Sequence, residues 1–207
     1  MRHIIITMPI EDATLEWAHE NYPHLTVTQH SIRRNNYLLL SRALLEFSLS
    51  KFFNISGLPK IDYLPHGKPY FIDHPNLAFN ISHTDESMAI IIAEASPLGI
   101  DIEMIRPRKN FSALENKVLK PIEHDWLKSQ DDYLSSFFTL WSAKEAYLKA
   151  TGTGLSGLSS LTLDLANKMA YGLLNGYLYI KKNAKKESFA YYIPSKASIE
   201  LFYFSGK

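Results

Sequence analysis

The spacing of apolar and polar positions changes character several times along the chain. Residues 1–6 form a short apolar run that reads as a first strand, and Asp12 or Thr14 is placed to cap a short helix through Asn21, closed by Pro23. Ser31 caps a longer helix predicted over 32–53, in which Tyr37, Leu38, Leu40, Leu44, Leu45, Phe47 and Leu49 make a broad apolar stripe. Arg33, Arg34, Arg42 and Lys51 lie along the same helix. Gly57, Pro59, Pro65, Gly67, Pro69 and Pro75 then break the chain too often for long regular structure. Strands are predicted over 76–81 and 87–95, and Ser96-Pro97-Leu98-Gly99 turns the chain into another over 100–105, giving a hairpin-like pair and a lobe boundary at mid-chain. Helical spacing follows over 111–119, 122–128 and 135–150, the last stopped by Gly152 and Gly154. The stretch 158–204 reads as strands separated by Asn167-Lys168, Asn175-Gly176, 181–186 and Pro194-Ser195.

Composition narrows the function classes. With 207 residues and 46% hydrophobic content the chain can bury a core as one domain or two small lobes. Its 22 Lys and Arg against 21 Asp and Glu leave a net charge of +1, which provides no global field for a nucleic-acid duplex or an anionic membrane. Zero cysteines excludes disulfides, thiolate zinc sites and cysteine nucleophiles, so a metal would have to take oxygen or imidazole ligands. The longest apolar run, 88–93, falls far short of the roughly 20 residues that span a bilayer, and the N-terminal run is too short for a secretory h-region. A cytoplasmic protein with no membrane span is expected.

Three segments carry candidate chemistry. In Gly99-Ile100-Asp101-Ile102-Glu103, strand alternation puts Asp101 and Glu103 on one face, where both can reach a hard divalent cation, while Ile100, Ile102 and Met104 bury the other. The bland alternative is the solvated face of a half-buried strand. In the helix containing Trp141-Ser142-Ala143-Lys144-Glu145, Glu145 and Lys149 share a face one turn apart, amid Phe138 and Trp141 and beside Lys144. An exposed ion pair is the alternative there. Ser82 and His83 end a strand but point to opposite sides, and no Gly-x-Ser-x-Gly elbow surrounds the serine, so a hydrolase triad is a poor reading and a phosphate-binding pair the sharper one. Lys68, between Gly67 and Pro69, and the forked guanidinia of Arg34 and Arg42 are further candidate phosphate contacts, or simply solvated cations.

Taken in order, Gly67-Lys68-Pro69, Phe79-Asn80-Ile81-Ser82-His83, Gly99-Ile100-Asp101-Ile102-Glu103 and Trp141-Ser142-Ala143-Lys144-Glu145-Ala146 with Lys149 resemble the signature series of 4′-phosphopantetheinyl transferases. The likeness is to the larger, single-chain, surfactin-synthetase-activating class. It implies an α+β fold of two similar lobes related by a pseudo-twofold axis, each with a mainly antiparallel sheet against a long helix, here 1–97 and 98–207. It implies transfer of the phosphopantetheine arm of coenzyme A to a serine of an apo acyl or peptidyl carrier protein, by a monomer that binds neither nucleic acid nor membrane. A relative that binds CoA or a carrier without turnover is the alternative. By the same resemblance Asp101, Glu103 and Glu145 bind Mg²⁺; Lys149, Lys144, Lys68, Ser82, His83, Arg42 and Arg34 contact CoA; and the proton acceptor is Glu145, Glu123 or a metal-bound water. Lys117, Lys120, Val118 and Leu119 are expected to face the acidic helix of the carrier, with an ordinary amphipathic surface as the alternative.

Overall fold

A computed structural model describes residues 2–25, 28, 30–94, 97–109, 111–183 and 186–206, the side chains of 182 and 183 excepted. Ala95 and Ser96 of the expected mid-chain turn, and part of the 181–186 run, lie outside the described residues. In chain order the elements are β1 (His3–Pro9), α1 (Asp12–Asn21), α2 (Ile32–Phe53), β2 (Ile61–Tyr63), β3 (Pro69–Phe71), β4 (Ala78–His83), β5 (Ser87–Ala93) and β6 (Gly99–Met104). They continue with α3 (Phe111–Val118), α4 (Pro121–Lys128), α5 (Tyr133–Thr151), a 3-10 turn at Gly154–Ser159, β7 (Thr162–Asp164), β8 (Met169–Tyr171), β9 (Gly176–Asn183), β10 (Glu187–Ile193) and β11 (Ile199–Tyr203). This is a mixed α+β architecture.

The long helices start where side chains can accept their orphan amides. Ser31 accepts from the Arg34 amide at the head of α2, and Asp132 from the Ser135 amide, at 3.0 Å, at the head of α5. α5 ends on Gly152, whose φ of 67° is left-handed and costs a glycine nothing. The first turn of α1 differs from expectation: Glu11 is the cap position, and Thr14 accepts its amide at 3.2 Å from inside the helix.

Two sheets form, ordered β11-β1-β5-β4 and β6-β10-β9-β8-β7, with a separate β2-β3 hairpin in the breaker-rich segment. Among the described residues only the β1–β11 pair is parallel. The hairpin expected between the strands flanking 94–98 does not form: β5 lies in the first sheet and β6 in the second. Both are buried strands with apolar runs, so local pattern names their type but not their partner. β11, last in the chain, returns to the sheet that holds the first strand.

Period-two alternation explains how the sheets stack. Ile4, Ile6 and Met8 of β1 and Met88, Ile90 and Ile92 of β5 pack with Leu40 and Leu44 of α2, while Ile5, Ala89 and Ile91 turn to the opposite face. There they meet Ile100 and Ile102 of β6 and Phe189 and Ile193 of β10. The other face of the second sheet packs Ala190 and Tyr192 against Ala143, Ala146 and Tyr147 of α5. The resulting order is helix, sheet, sheet, helix, and it forces the charged face of β6 toward α5.

β6 approaches α5 closely at Gly99. A Cβ placed there would sit 2.0 Å from the Ala146 carbonyl oxygen and 2.6 Å from the Ala150 amide nitrogen, both backbone atoms that cannot swing aside. Gly99→Ala is therefore expected to destabilise the protein by about 1–3 kcal/mol through overpacking, read as a lowered urea midpoint with an unchanged slope. A midpoint equal to that of the parent protein would show that β6 does not lie this close to α5.

Candidate functional site

The central cleft is built where the free edges of the two sheets meet. β4 and β6 are edge strands of different sheets and do not pair, yet side chains of β4 bond the exposed backbone of β6. Asn80 Oδ1 accepts from the Ile100 amide at 3.0 Å, and Ser82 Oγ accepts from the Ile102 amide at 3.3 Å. Each bond satisfies a buried amide that would otherwise be an orphan. Ser82 Oγ also donates to Asp101 Oδ1 at 2.9 Å and accepts from Lys149 Nζ at 2.8 Å, which uses its one proton and both lone pairs. Ser82 is thus a node between strands, with its proton and both lone pairs committed to Asp101, Lys149 and the Ile102 amide.

Asp101 and Glu103 face α5, whose Trp141, Glu145 and Lys149 follow one another at i, i+4 and i+8 along one face. Together with Ser82, His83 and the β4–β5 turn they line a cleft of about 470 Å³. Asp101 is buried at 4% exposure, so the solvated-face alternative fails for it. Its Oδ1 also accepts from Lys149 Nζ at 2.7 Å, while its Oδ2 is buried without a hydrogen-bond partner. Glu103 accepts from Trp141 Nε1 at 2.8 Å on one oxygen and from Arg108 Nη2 at 2.6 Å on the other. Glu145 is pushed up to about 7 by burial and then by the negative charge of Asp101, with Lys149 opposing and Glu103 adding to the rise. Burial and Asp101 raise Glu103 as well, against the pull of Trp141 and Arg108.

This donor set fits a hard divalent ion in kind. It is all oxygen, it holds carboxylates that repel one another, and it leaves one buried carboxylate oxygen unmatched. In arrangement it is incomplete: among the described residues no three acidic or histidine side chains are grouped to hold a metal, and both Glu103 oxygens are engaged by protein donors.

A second pocket of about 290 Å³ adjoins the first through Ile81, Glu145 and Lys149 and is lined further by His66, Gly67 and Lys68. Lys68 Nζ donates to the carbonyl oxygens of Leu98, at 3.4 Å, and Ala150, near the C-terminal end of α5. Burial lowers its pKa to about 8. On the other side of the cleft, the His83 ring stacks on Tyr37 with centroids 4.1 Å apart, and Arg33 donates to the Tyr37 hydroxyl at 2.8 Å and to Asp85. Thr84 and Ser87 both donate to Glu187 of β10, which ties this turn to the second sheet.

The sequence-predicted residues therefore divide. Asp101, Glu103, Glu145, Lys149, Ser82 and His83 share one cleft, and Lys68 lines its extension. Lys144 and Glu123 do not reach it: Lys144 has no exposed surface and is ion-paired to Glu123 at 2.7 Å beneath α4, so neither is available as CoA contact or proton acceptor. One residue of helix rotates a side chain by about 100°, enough to separate Lys144 from Glu145. Arg34 and Arg42 line neither pocket, and Arg33 is the α2 arginine that reaches the rim. Val118 and Leu119 are core residues at 3% and 8% exposure, and Lys120 bonds Thr162 at 3.1 Å, which removes them as a carrier-facing apolar patch. Tyr37, Asp85, Arg106 and Arg108 were missed; the i,i+4 spacing of Arg33 and Tyr37 was the one local signal available.

Comparison with known proteins converges on the same segment. Residues 97–192, which carry β6, α5 and β10, match the model of the 4′-phosphopantetheinyl transferase superfamily. The chain is 37% identical over 121 residues to the 4′-phosphopantetheinyl transferase AcpT of Escherichia coli O157:H7, covering 58% of this chain and 59% of that protein. It is 35% identical over 114 residues to the 4′-phosphopantetheinyl transferase HetI of a Nostoc species, covering 53% and 48%. It is 42% identical over 96 residues to the 4′-phosphopantetheinyl transferase gsp of Aneurinibacillus migulanus, covering 44% and 37%. The chain spans about half the length of the curated relatives it matches. The matched stretch is also the one that supplies the carboxylates and the basic residue of the cleft, and over it the chain is similar to the 4′-phosphopantetheinyl transferase superfamily.

Proposed function

We propose that the protein transfers the 4′-phosphopantetheine arm of coenzyme A to a serine of an apo acyl or peptidyl carrier protein, releasing 3′,5′-ADP. The observation that carries this reading is the shared cleft of Asp101, Glu103, Glu145 and Lys149, with an adjoining pocket of about 290 Å³ that Lys68 lines. The helix–sheet–sheet–helix order supports two lobes in the pseudo-twofold arrangement of the larger single-chain class, divided near 97/98 except that β11 of the 98–207 stretch joins the sheet of the 1–97 lobe.

Asp101, Glu103 and Glu145 are the residues that would hold Mg²⁺, which when bound supplies charge neutralisation for the CoA diphosphate. Lys149 stands beside Asp101 and Ser82 as the fixed cation for the charge that grows on the departing 3′,5′-ADP. Lys68 and His83 bracket the cleft at either end and bind the phosphates of the nucleotide. The nucleophile comes from the carrier, which accounts for a Ser82 committed to structure. As the serine oxygen attacks the phosphorus bearing the pantetheine arm, its proton passes to Glu145, directly or through a water, and the bond to 3′,5′-ADP breaks. Glu145 needs no third partner for this, since burial and Asp101 already raise its proton affinity.

Incubated with CoA and Mg²⁺, a panel of apo fatty-acid, peptide-synthetase and polyketide carriers should include at least one that gains the mass of one phosphopantetheine arm. No gain on any carrier, together with calorimetric CoA binding, would leave a binding protein without turnover. Asp101→Ala and Glu145→Ala should each lower transfer by at least about a hundredfold while the far-UV spectrum stays that of the parent protein. Transfer within a factor of two of wild type in either variant would remove that carboxylate from the mechanism.

Lys68 gives the pH dependence. Its charge is lost as pH rises through about 8 instead of the ordinary 10.5, so above that point the phosphates face a neutral amine. CoA affinity measured by calorimetry should fall as pH is raised through that value. In Lys68→Met it should be weaker and flat over the same interval; a parallel fall in the variant would assign the titration to another group.

A further inference from the structure

The two strand carboxylates of the cleft are each already matched by a cation of the protein itself. Asp101 has Lys149 at 2.7 Å, and Glu103 has Arg108 at 2.6 Å. The second match has no part in binding CoA or moving a proton as described above, and it occupies an oxygen that a divalent ion would need. Glu103 is held from both sides, by the Trp141 indole on Oε1 and by the Arg108 guanidinium on Oε2. Arg108 has a second support, since its guanidinium carbon lies 5.1 Å from the ring centroid of the buried Phe138. It can therefore leave Glu103 and still keep a cation–π contact. Its neighbour across Pro107, Arg106, is drawn instead to Asp85, at 3.7 Å, and leaves Arg108 as the cation on Glu103.

We propose that Arg108 is a positioning residue that holds Glu103 in a resting arrangement and competes with the divalent cation for it, so that cation entry displaces the guanidinium onto Phe138. This rests on the metal reading given above. It also gives a reason why the three carboxylates line one cleft without being grouped around a point: one of them is bonded to an internal cation. Without Arg108 the resting protein would hold Glu103, Asp101 and Glu145 with only Lys149 to offset them, a state in which their mutual repulsion favours any cation that enters. The residue thus lowers affinity for the ion.

The test titrates Mg²⁺ alone, without CoA or carrier, and follows the indole N–H resonance of Trp141, assigned by its loss in Trp141→Phe. That proton is bonded to Glu103 and reports where the carboxylate sits. Arg108→Met keeps the hydrocarbon stem on Phe138 and removes the competing cation, and Arg108→Gln is read beside it should either variant fold poorly. Both are expected to bind Mg²⁺ about tenfold more tightly than wild type, the effect of one charge-assisted hydrogen bond, while Arg108→Lys stays within about threefold of wild type. Equal or weaker Mg²⁺ binding in Arg108→Met and Arg108→Gln, with normal binding in wild type, would overturn the competition and leave the metal reading standing. Binding in none of the proteins would overturn the metal reading and the inference with it.

Discussion

The seam between β4 and β6 is the constraint on which the site depends. Two sheets with free edges meet there, and the Ser82 hydroxyl closes the gap by accepting the Ile102 amide and the Lys149 ammonium while donating to Asp101. Removing that oxygen would strand a buried amide, leave Asp101 with one donor fewer and leave Lys149 held by Asp101 alone, so its loss would cost more than a single hydrogen bond. A residue that looks like a nucleophile is in fact the joint that keeps a strand carboxylate and a helix lysine in register. Asn80 repeats the device one pleat earlier, on the Ile100 amide.

Charge in the cleft follows from that geometry. The layer order turns Ile100 and Ile102 toward the first sheet, which leaves Asp101 and Glu103 no direction except toward α5. α5 answers with a row one turn apart: an indole for Glu103, a carboxylate, and an ammonium for Asp101. Burial, and then the charge of Asp101, raises the proton affinity of both Glu103, which Arg108 holds, and Glu145, which has no cation bonded to it among the described residues. The repulsion among these carboxylates is the electrostatic ground on which the proposed cation site rests.

What the sequence disclosed was whatever local periodicity encodes. α2 begins after Ser31 and ends at Phe53 as its cap and stripe require, and the alternation of β6 placed Asp101 and Glu103 together. What it concealed was rotation and partnership. Arg33 and Arg34 are adjacent in sequence, yet one bonds Asp85 at the cleft rim and the other lines neither pocket. β5 and β6 are consecutive buried strands, and their assignment to separate sheets rests on contacts with β1 and β10, 78 or more residues away in each case. The Arg108 contact was equally hidden, because Glu103 and Arg108 are joined across a proline-bearing turn with no helical or strand period to reveal it.

The buried pair of Lys144 and Glu123 shows how such hidden contacts serve the visible ones. Burial lowers the proton affinity of the Lys144 ammonium, and Glu123 beside it opposes that shift. Glu123 is in turn fixed by the Lys120 amide at 2.7 Å, at the head of α4. A buried ion pair is a weak source of net stability, because desolvation consumes most of its attraction. Its geometric consequence is strong: an unpaired ammonium cannot be buried, so α5 has one rotation in which Lys144 meets Glu123. In that rotation Ser142 bonds Ser188 of β10 at 2.6 Å, and Trp141, Glu145 and Lys149 are left facing β6. The lysine that stays out of the cleft thus sets the angle at which its neighbours line it.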